Sequence, residues 1–293
     1  MRKKYEKYVP NVYFEKIPIK NLVSNQNYQR DISMQRVEET AAAFDLFQIN
    51  PVKVSRRDGV NYVFDGQHTI EIVAMVSGSR DTPVWCMIYD DLIYEHEADI
   101  FANQAKHTKP VSPYDTFIAN IEAGSNKQIL IKETIENFGL KISYKGGTGH
   151  IGAVGALERI YDLYGLDIME RAIYLIIGTW EGAPASFSGN VITGVASLLY
   201  AFKDKISDEL FKERCGKDSI KEICREAKSR RAGSMGYAET LLNLYNKKSQ
   251  NRLYVDKLHS EVRNAKRILK LKKIKEFEAA AEEMKENNKN DSK

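Results

Sequence analysis

The sequence predicts an α+β chain: a mixed α/β domain, then an all-helical domain, then one long charged C-terminal helix. Three observations predict this order. Short apolar runs of strand length, bounded by turn residues, occur only as far as Tyr89. From Asp91 onward apolar residues recur at helical spacing and strand formers are few. From Arg252 to the end the chain is dominated by charge, with only an irregular apolar stripe. The expected domains are therefore residues 1–115, 116–250 and 251–293.

Taken in order, Ile17-Pro18-Ile19 reads as a first edge strand, because proline cannot donate to a central ladder. The polar run Asn21 to Tyr28 leads to Gln29-Arg30-Asp31. Ser33 is placed to cap a helix carrying Met34, Val37, Ala41 and Phe44 at helical spacing. Pro51 to Ser55 alternates as a strand, and Arg57-Asp58-Gly59 makes a hairpin into the strand Tyr62-Val63-Phe64. Asp65-Gly66 is a turn, after which Ile70, Val73 and Ala74 mark a helix that stops at Gly78. Pro83 to Tyr89 is the last strand of the domain.

The junction at Asp65-Gly66 is chemically the most informative stretch. A strand running directly into a helix start aims unpaired backbone N–H groups and the positive end of the helix dipole at one spot, where a phosphate can sit. Gln67, His68 and Thr69 occupy that spot. The alternative is a plain turn followed by a surface histidine.

Helices follow at Leu92 to Gln104, from Pro113, and at Asn126 to Phe138, ending at Gly139. His96 and His107 lack metal-ligand spacing and read as ordinary helix residues. Gly147-Thr-Gly-His-Ile-Gly152 satisfies G-x-G-x-x-G, but no buried strand precedes it and no strand–helix repeats follow, so it reads as a flexible loop before a small-residue helix. Further helices are expected at Asp167 to Gly178, at Phe187 to Phe202 after a turn at Trp180, and over Ile206 to Leu241. Within the last of these, Lys228-Ser-Arg230-Arg231-Ala-Gly reads as a loop able to contact phosphate, or equally as a solvated turn. On the tail, Arg263, Lys266, Arg267, Lys270 and Lys273 crowd one third of the helix ahead of an acidic block from Glu276 to Glu286. Such a segment either binds nucleic acid or docks its apolar stripe on the domain or on a second copy.

Composition sets limits. The net charge of +4 is too mild to identify a nucleic-acid binder, so the distribution of charge must do so. Three widely spaced cysteines, Cys86, Cys215 and Cys224, indicate neither a disulfide framework nor a zinc site. No apolar run approaches membrane-spanning length, and a cytoplasmic protein without membrane contact is expected.

The motifs Ile17-Pro-Ile, Tyr28-Gln-Arg, Gln48-Ile-Asn-Pro-Val-Lys-Val, Tyr62-Val-Phe-Asp-Gly-Gln-His-Thr and Pro83-Val-Trp-Cys, in this order, resemble the N-terminal domain of the ParB partition-protein and sulfiredoxin superfamily. The likeness is nearest to phage and mobile-element ParB-like nuclease-domain proteins with an Asp-Gly-Gln-His-Arg type of motif, and it covers about the first 115 residues, through Val111-Ser-Pro-Tyr. It implies a phosphate or nucleotide site built from Arg30, Asp65, Gly66, Gln67, His68, Thr69 and Asn103, with a nucleoside triphosphate and magnesium as the cofactor. The Gly-Glu-Arg-Arg motif of ParB corresponds here to Gly66, Gln67, His68 and Thr69. The substitutions exchange two permanent cations for an imidazole and a hydroxyl, which removes much of the charge-assisted binding of a triphosphate. The catalytic cysteine of sulfiredoxin corresponds to Gln67, so its thiol chemistry is absent.

The resulting expectation is a nucleic-acid-binding protein of phage or mobile-element type with DNA as partner. It would contact nucleic acid through Lys228, Arg230, Arg231, Arg263, Lys266, Arg267, Lys270 and Lys273, and could form homo-oligomers through its C-terminal helices. The alternatives are a nuclease or nucleotide-dependent phosphotransferase using the Gly66 to Thr69 corner, and a non-catalytic assembly module.

Overall fold

Strand-length apolar runs in the first third of the chain, and apolar residues at helical spacing in the rest, produce two separate units in the computed structural model. It describes residues 11–24, 28–29, 31–90, 92–103 and 110–290, the side chains of 284–290 excepted. One unit comprises residues 1–109 together with 273–293, and the other residues 110–272.

In the first unit the order is β1 (Val12–Pro18), β2 (Leu22–Ser24), α1 (Met34–Ala42), β3 (Val52–Arg57), β4 (Val60–Asp65), α2 (Gln67–Ser77), β5 (Pro83–Tyr89) and α3 (Tyr94–Asn103). The five strands form one sheet in the order β1-β5-β3-β4-β2. As expected, Pro18 ends an edge strand, where its missing N–H costs no ladder bond. The β3–β4 hairpin turns at Asp58 and Gly59, both at positive φ (52° and 76°), the geometry that matches the twist of the flanking strands. Strand β2 was not anticipated. Its three residues, Leu22, Val23 and Ser24, fall in a stretch read as polar and are specified by parallel pairing with β4 rather than by a pattern of strand length.

Alternation puts Ile17, Val52, Val54, Val63, Val84, Cys86 and Ile88 on one face of the sheet with Ile70 of α2. Helix α1 starts at the Ser33 cap and buries Val37 and Ala41 against Ile72. On α3, Glu97 is completely buried and takes Nε of Arg57 at 2.7 Å. The Tyr28 hydroxyl donates to the same carboxylate at 3.3 Å, and the Arg57 guanidinium stacks on Tyr62 at 4.3 Å. Burial, and then the Glu97 charge, push the Tyr28 hydroxyl up to about 12, so it remains a donor.

The second unit contains α4 (Pro113–Glu122), α5 (Asn126–Asn137), β6 (Lys141–Ile142), β7 (His150–Ile151), α6 (Val154–Tyr164), α7 (Leu166–Trp180), α8 (Gly189–Phe202), α9 (Asp208–Cys215), α10 (Ile220–Arg230) and α11 (Ser234–Asn246). Helix α12 (Val255–Asn290) follows, and its residues up to Lys272 belong to this unit. Helix α8 is buried on every side from Val191 to Leu199 and is enclosed by α6, α7 and α11. The start of α12 seals the same core with Leu258, Val262 and Ala265.

Two local expectations need correction. Trp180 closes α7 instead of lying in a turn; it is buried and meets Phe211 edge-on at 6.2 Å, so it does anchor the core. Lys228, Ser229 and Arg230 form the last turn of α10, not a loop. The Ser219–Glu222 capping box starts that helix, and the basic residues at its end suit the negative pole of the helix dipole.

Contact between α8 and α11 is closest at Gly194, where an added Cβ would lie 2.8 Å from the Tyr237 Cβ and 3.1 Å from the Ala238 nitrogen. Neither neighbour is the free end of a side chain, so Gly194→Ala is expected to lower the stability of the full chain by about 1–3 kcal/mol in urea unfolding. An unchanged midpoint would show that the two helices separate without cost.

Candidate functional site

The strand–helix corner forms as the sequence predicts. Gly66 adopts φ +105°, and an added Cβ would meet the Val52 backbone at 3.2 Å and its methyls at 3.3 Å, so this position is restricted to glycine by both conformation and space. As the first cap of α2 it offers no side chain to the helix start. The backbone N–H groups of Gln67, His68 and Thr69 consequently have no hydrogen-bond partner among the described residues. The side chains of His68 and Thr69 are half-buried; that of Gln67 is buried and its amide nitrogen is unpartnered. Asp65, at the end of β4, pairs with Lys53 at 3.0 Å.

Asn103 is exposed at the end of α3, and its amide donates to the carbonyl and carboxylate oxygens of Asp99, at 3.0 and 2.9 Å. Arg30 and His107 lie outside the described residues. No group of three potential metal ligands exists among the described residues.

In the helical unit, the acids determine which cations are committed. Arg230 pairs with Glu226 at 3.0 Å, and the correctly oriented Asn243 amide oxygen accepts from it at 3.0 Å. Arg231 reaches Glu239 at 3.3 Å, and the same carboxylate takes Nε2 of His259 at 2.8 Å, joining the end of α10 to α11 and α12. Lys228 has no partner among the described residues. Along α12, Arg263, Lys266, Arg267, Lys270 and Lys273 are all exposed and form no ion pair among the described residues. The spacing of Arg263, Lys266, Arg267 and Lys270 places these four on one side of the helix, beside the docked face of Leu258, Val262 and Ala265, whereas Lys273 returns toward the angular position of Val262.

The sequence reading missed Lys221 and Arg225. They precede Lys228 at positions i and i+4 of an i, i+4, i+7 series on α10, and all three line one cavity of about 570 Å³ together with Ser188, Asn190 and Cys224. That spacing was visible in the sequence; the cavity was not. Gly147 to Gly149 lie in the connection from β6 to β7, and His150 and Ile151 are β7 itself; the two strands pair in parallel over only two residues, so no dinucleotide fold surrounds these glycines. Gly147 and Gly152 line a second cleft, of about 510 Å³, with Lys145 and His150.

A family model described as a family of unknown function, DUF6551, matches residues 23–258. Curated proteins yield no match. Among solved structures, the chain is similar to the crystal structure of the C-terminally truncated chromosome-partitioning protein ParB from Caulobacter crescentus complexed with CTP-gamma-S. That similarity has 12% sequence identity, covers 78% of this chain and 99% of that one, and has a TM-score of 0.34.

The three cysteines differ in a way that can be measured directly. Burial pushes the Cys86 thiol up to about 11 and the Cys215 thiol up to about 12, and neither is exposed, whereas Cys224 is half-buried at a cavity wall. Iodoacetamide at about pH 8 is therefore expected to modify Cys224 alone in the folded protein, with peptide mass spectrometry as the readout. Modification of Cys86 or Cys215 at a comparable rate would contradict this burial pattern.

Proposed function

The chain belongs to the DUF6551 family of unknown function, and we propose that this member is a nucleic-acid-binding protein, with DNA as the expected partner. The observation that carries the reading is the row formed by Arg263, Lys266, Arg267 and Lys270: four exposed cations on one side of α12 without carboxylate partners among the described residues. Cations already neutralised by acids have little left to offer a phosphate; these four retain their full charge. Arg230 and Arg231 would contribute only by exchanging Glu226 and Glu239 for phosphate, which makes them secondary contacts. Lys228 and Lys273 are free to act directly. Contacts of this type read the backbone rather than base edges, so weak sequence preference goes with them.

Phage or mobile-element origin and a ParB-like role in DNA transactions are the finer form of this reading, supported by the N-terminal motifs described above. The same motifs support a phosphate or nucleotide site at Gly66 to Thr69, and the unpartnered N–H groups there are what favour it. With Gln67, His68 and Thr69 in place of an acid and two arginines, the corner would take one phosphate group more readily than a magnesium triphosphate. Assembly through the tail is a second reading, favoured by Ile268, Leu271 and Ile274, which are 59%, 52% and 41% exposed on α12.

Duplex DNA binding is expected to weaken with salt, and replacing Arg263, Lys266, Arg267 and Lys270 by alanine should flatten the slope of log K against log salt by about 0.9 per lost contact. Fluorescence anisotropy across a salt series measures it; affinity indifferent to salt, or a slope unchanged in the variant, would sink the reading. A variant that keeps its DNA affinity but changes its sedimentation coefficient would assign α12 to assembly.

For the corner, calorimetry with inorganic phosphate and with nucleoside triphosphates plus magnesium should give binding that His68→Ala and Thr69→Ala weaken by about threefold to tenfold each. No heat with either ligand would leave Gly66 to Thr69 as a turn.

A further inference from the structure

Helix α10 carries more charge than its own acids can pair. Glu222 is held by its capping box, accepting from the Ser219 nitrogen at 3.0 Å and hydroxyl at 2.8 Å, and Glu226 is held by Arg230 at 3.0 Å. Lys221, Arg225 and Lys228 are left on one face with no hydrogen bond or salt bridge among the described residues. Like charges three and four positions apart repel each other along a helix, so this face is unfavourable unless something negative sits against it.

The surroundings have the complementary character. Across the cavity stands Ser188, which occupies the first cap position of α8 but makes no side-chain capping bond, and beside it Asn190, whose amide has no partner among the described residues. Both present uncommitted hydrogen-bond donors. No carboxylate is among the lining residues, and the cavity, at about 570 Å³, has room for a phosphate with its attached group. Three cations, two neutral donors and no carboxylate in a lining completed by Ala185 and Tyr237 make a set suited to a multiply charged oxyanion rather than to a cation.

We propose that the cavity between α10 and the start of α8 is a phosphate-binding site, held by Lys221, Arg225 and Lys228 with Ser188 and Asn190 as additional donors. The phosphate belongs to a nucleic-acid backbone or to a free nucleotide; the chemistry of recognition is common to the two. The site shares phosphate chemistry and Lys228 with the proposed nucleic-acid interface but none of the α12 row that carries that reading, so either can fail without the other.

Cys224 is a native reporter because its thiol lines the same cavity. Alkylation of the full chain by neutral iodoacetamide is followed by mass spectrometry, in parallel with calorimetry, in the presence of pyrophosphate, a nucleoside triphosphate or a short duplex oligonucleotide, with sodium chloride matched for ionic strength. An occupying phosphate covers the thiol, so alkylation should slow by about threefold or more and binding heat should appear. Lys221→Gln and Arg225→Gln, both at exposed positions, should each weaken these effects, while alanine at Arg263, Lys266, Arg267 and Lys270 should leave pyrophosphate protection intact. Protection by pyrophosphate and the triphosphate identifies a free nucleotide as the source. Protection by the duplex alone identifies the backbone phosphate. The proposal is overturned if no phosphate compound gives protection or heat, if chloride protects equally, or if Arg225→Gln binds pyrophosphate as the parent does.

Discussion

Helix α8 imposes the arrangement of the helical unit. From Val191 to Leu199 every residue is buried, so the helix has no face that water could solvate and must be enclosed on all sides. Its neighbours α6, α7 and α11 do this, and α11 can approach closely only because Gly194 presents no Cβ to Tyr237. Fully burying each Leu, Ile or Val side chain contributes about 1.5–3 kcal/mol, set against a large ordering entropy, so the enclosure must be nearly complete to be stable. One consequence is functional: with their apolar faces turned toward α8, the surrounding helices keep their charge on their outer faces.

Which of those outer charges can serve a ligand is then settled pair by pair. Arg231, Glu239 and His259 tie α10, α11 and α12 together, and Arg230 is held by Glu226 and Asn243. These arginines help to hold helices together. Lys221, Arg225, Lys228 and the α12 row form no salt bridge among the described residues, which is why both proposals for the helical unit rest on them. A count of basic residues cannot make this distinction, since a paired and an unpaired arginine are the same letter.

In the α/β unit the equivalent constraint is the turn at Gly66. The chain reverses from β4 into α2 within one residue, in a left-handed conformation packed against Val52, and no side chain caps the helix that results. The cost of an uncapped start is accepted here, whereas α1 and α4 are capped by Ser33 and Ser112. Helix α3 contributes Glu97, whose burial is tolerable because Arg57 and Tyr28 both reach it.

The sequence by itself determined the order of strands and helices through Tyr89 apart from β2, the glycine turn at Gly66, the Ser33 cap, the helix opened by Pro113 and the change to helices beyond. Each of these depends on residues adjacent in the chain: periodicity, a cap, a positive φ. Strand β2 was hidden because only its pairing with β4 makes Leu22 to Ser24 a strand, and the helical state of Lys228 to Arg230 because a basic run is compatible with either a turn or a helix end. Only the tertiary structure decided that Arg231 is neutralised by Glu239 of the next helix, and that Lys221, Arg225 and Lys228 share a cavity with Ser188, more than thirty positions earlier. Ion pairs and cavities arise between elements distant in sequence, and their partners are chosen by packing, which no local pattern records.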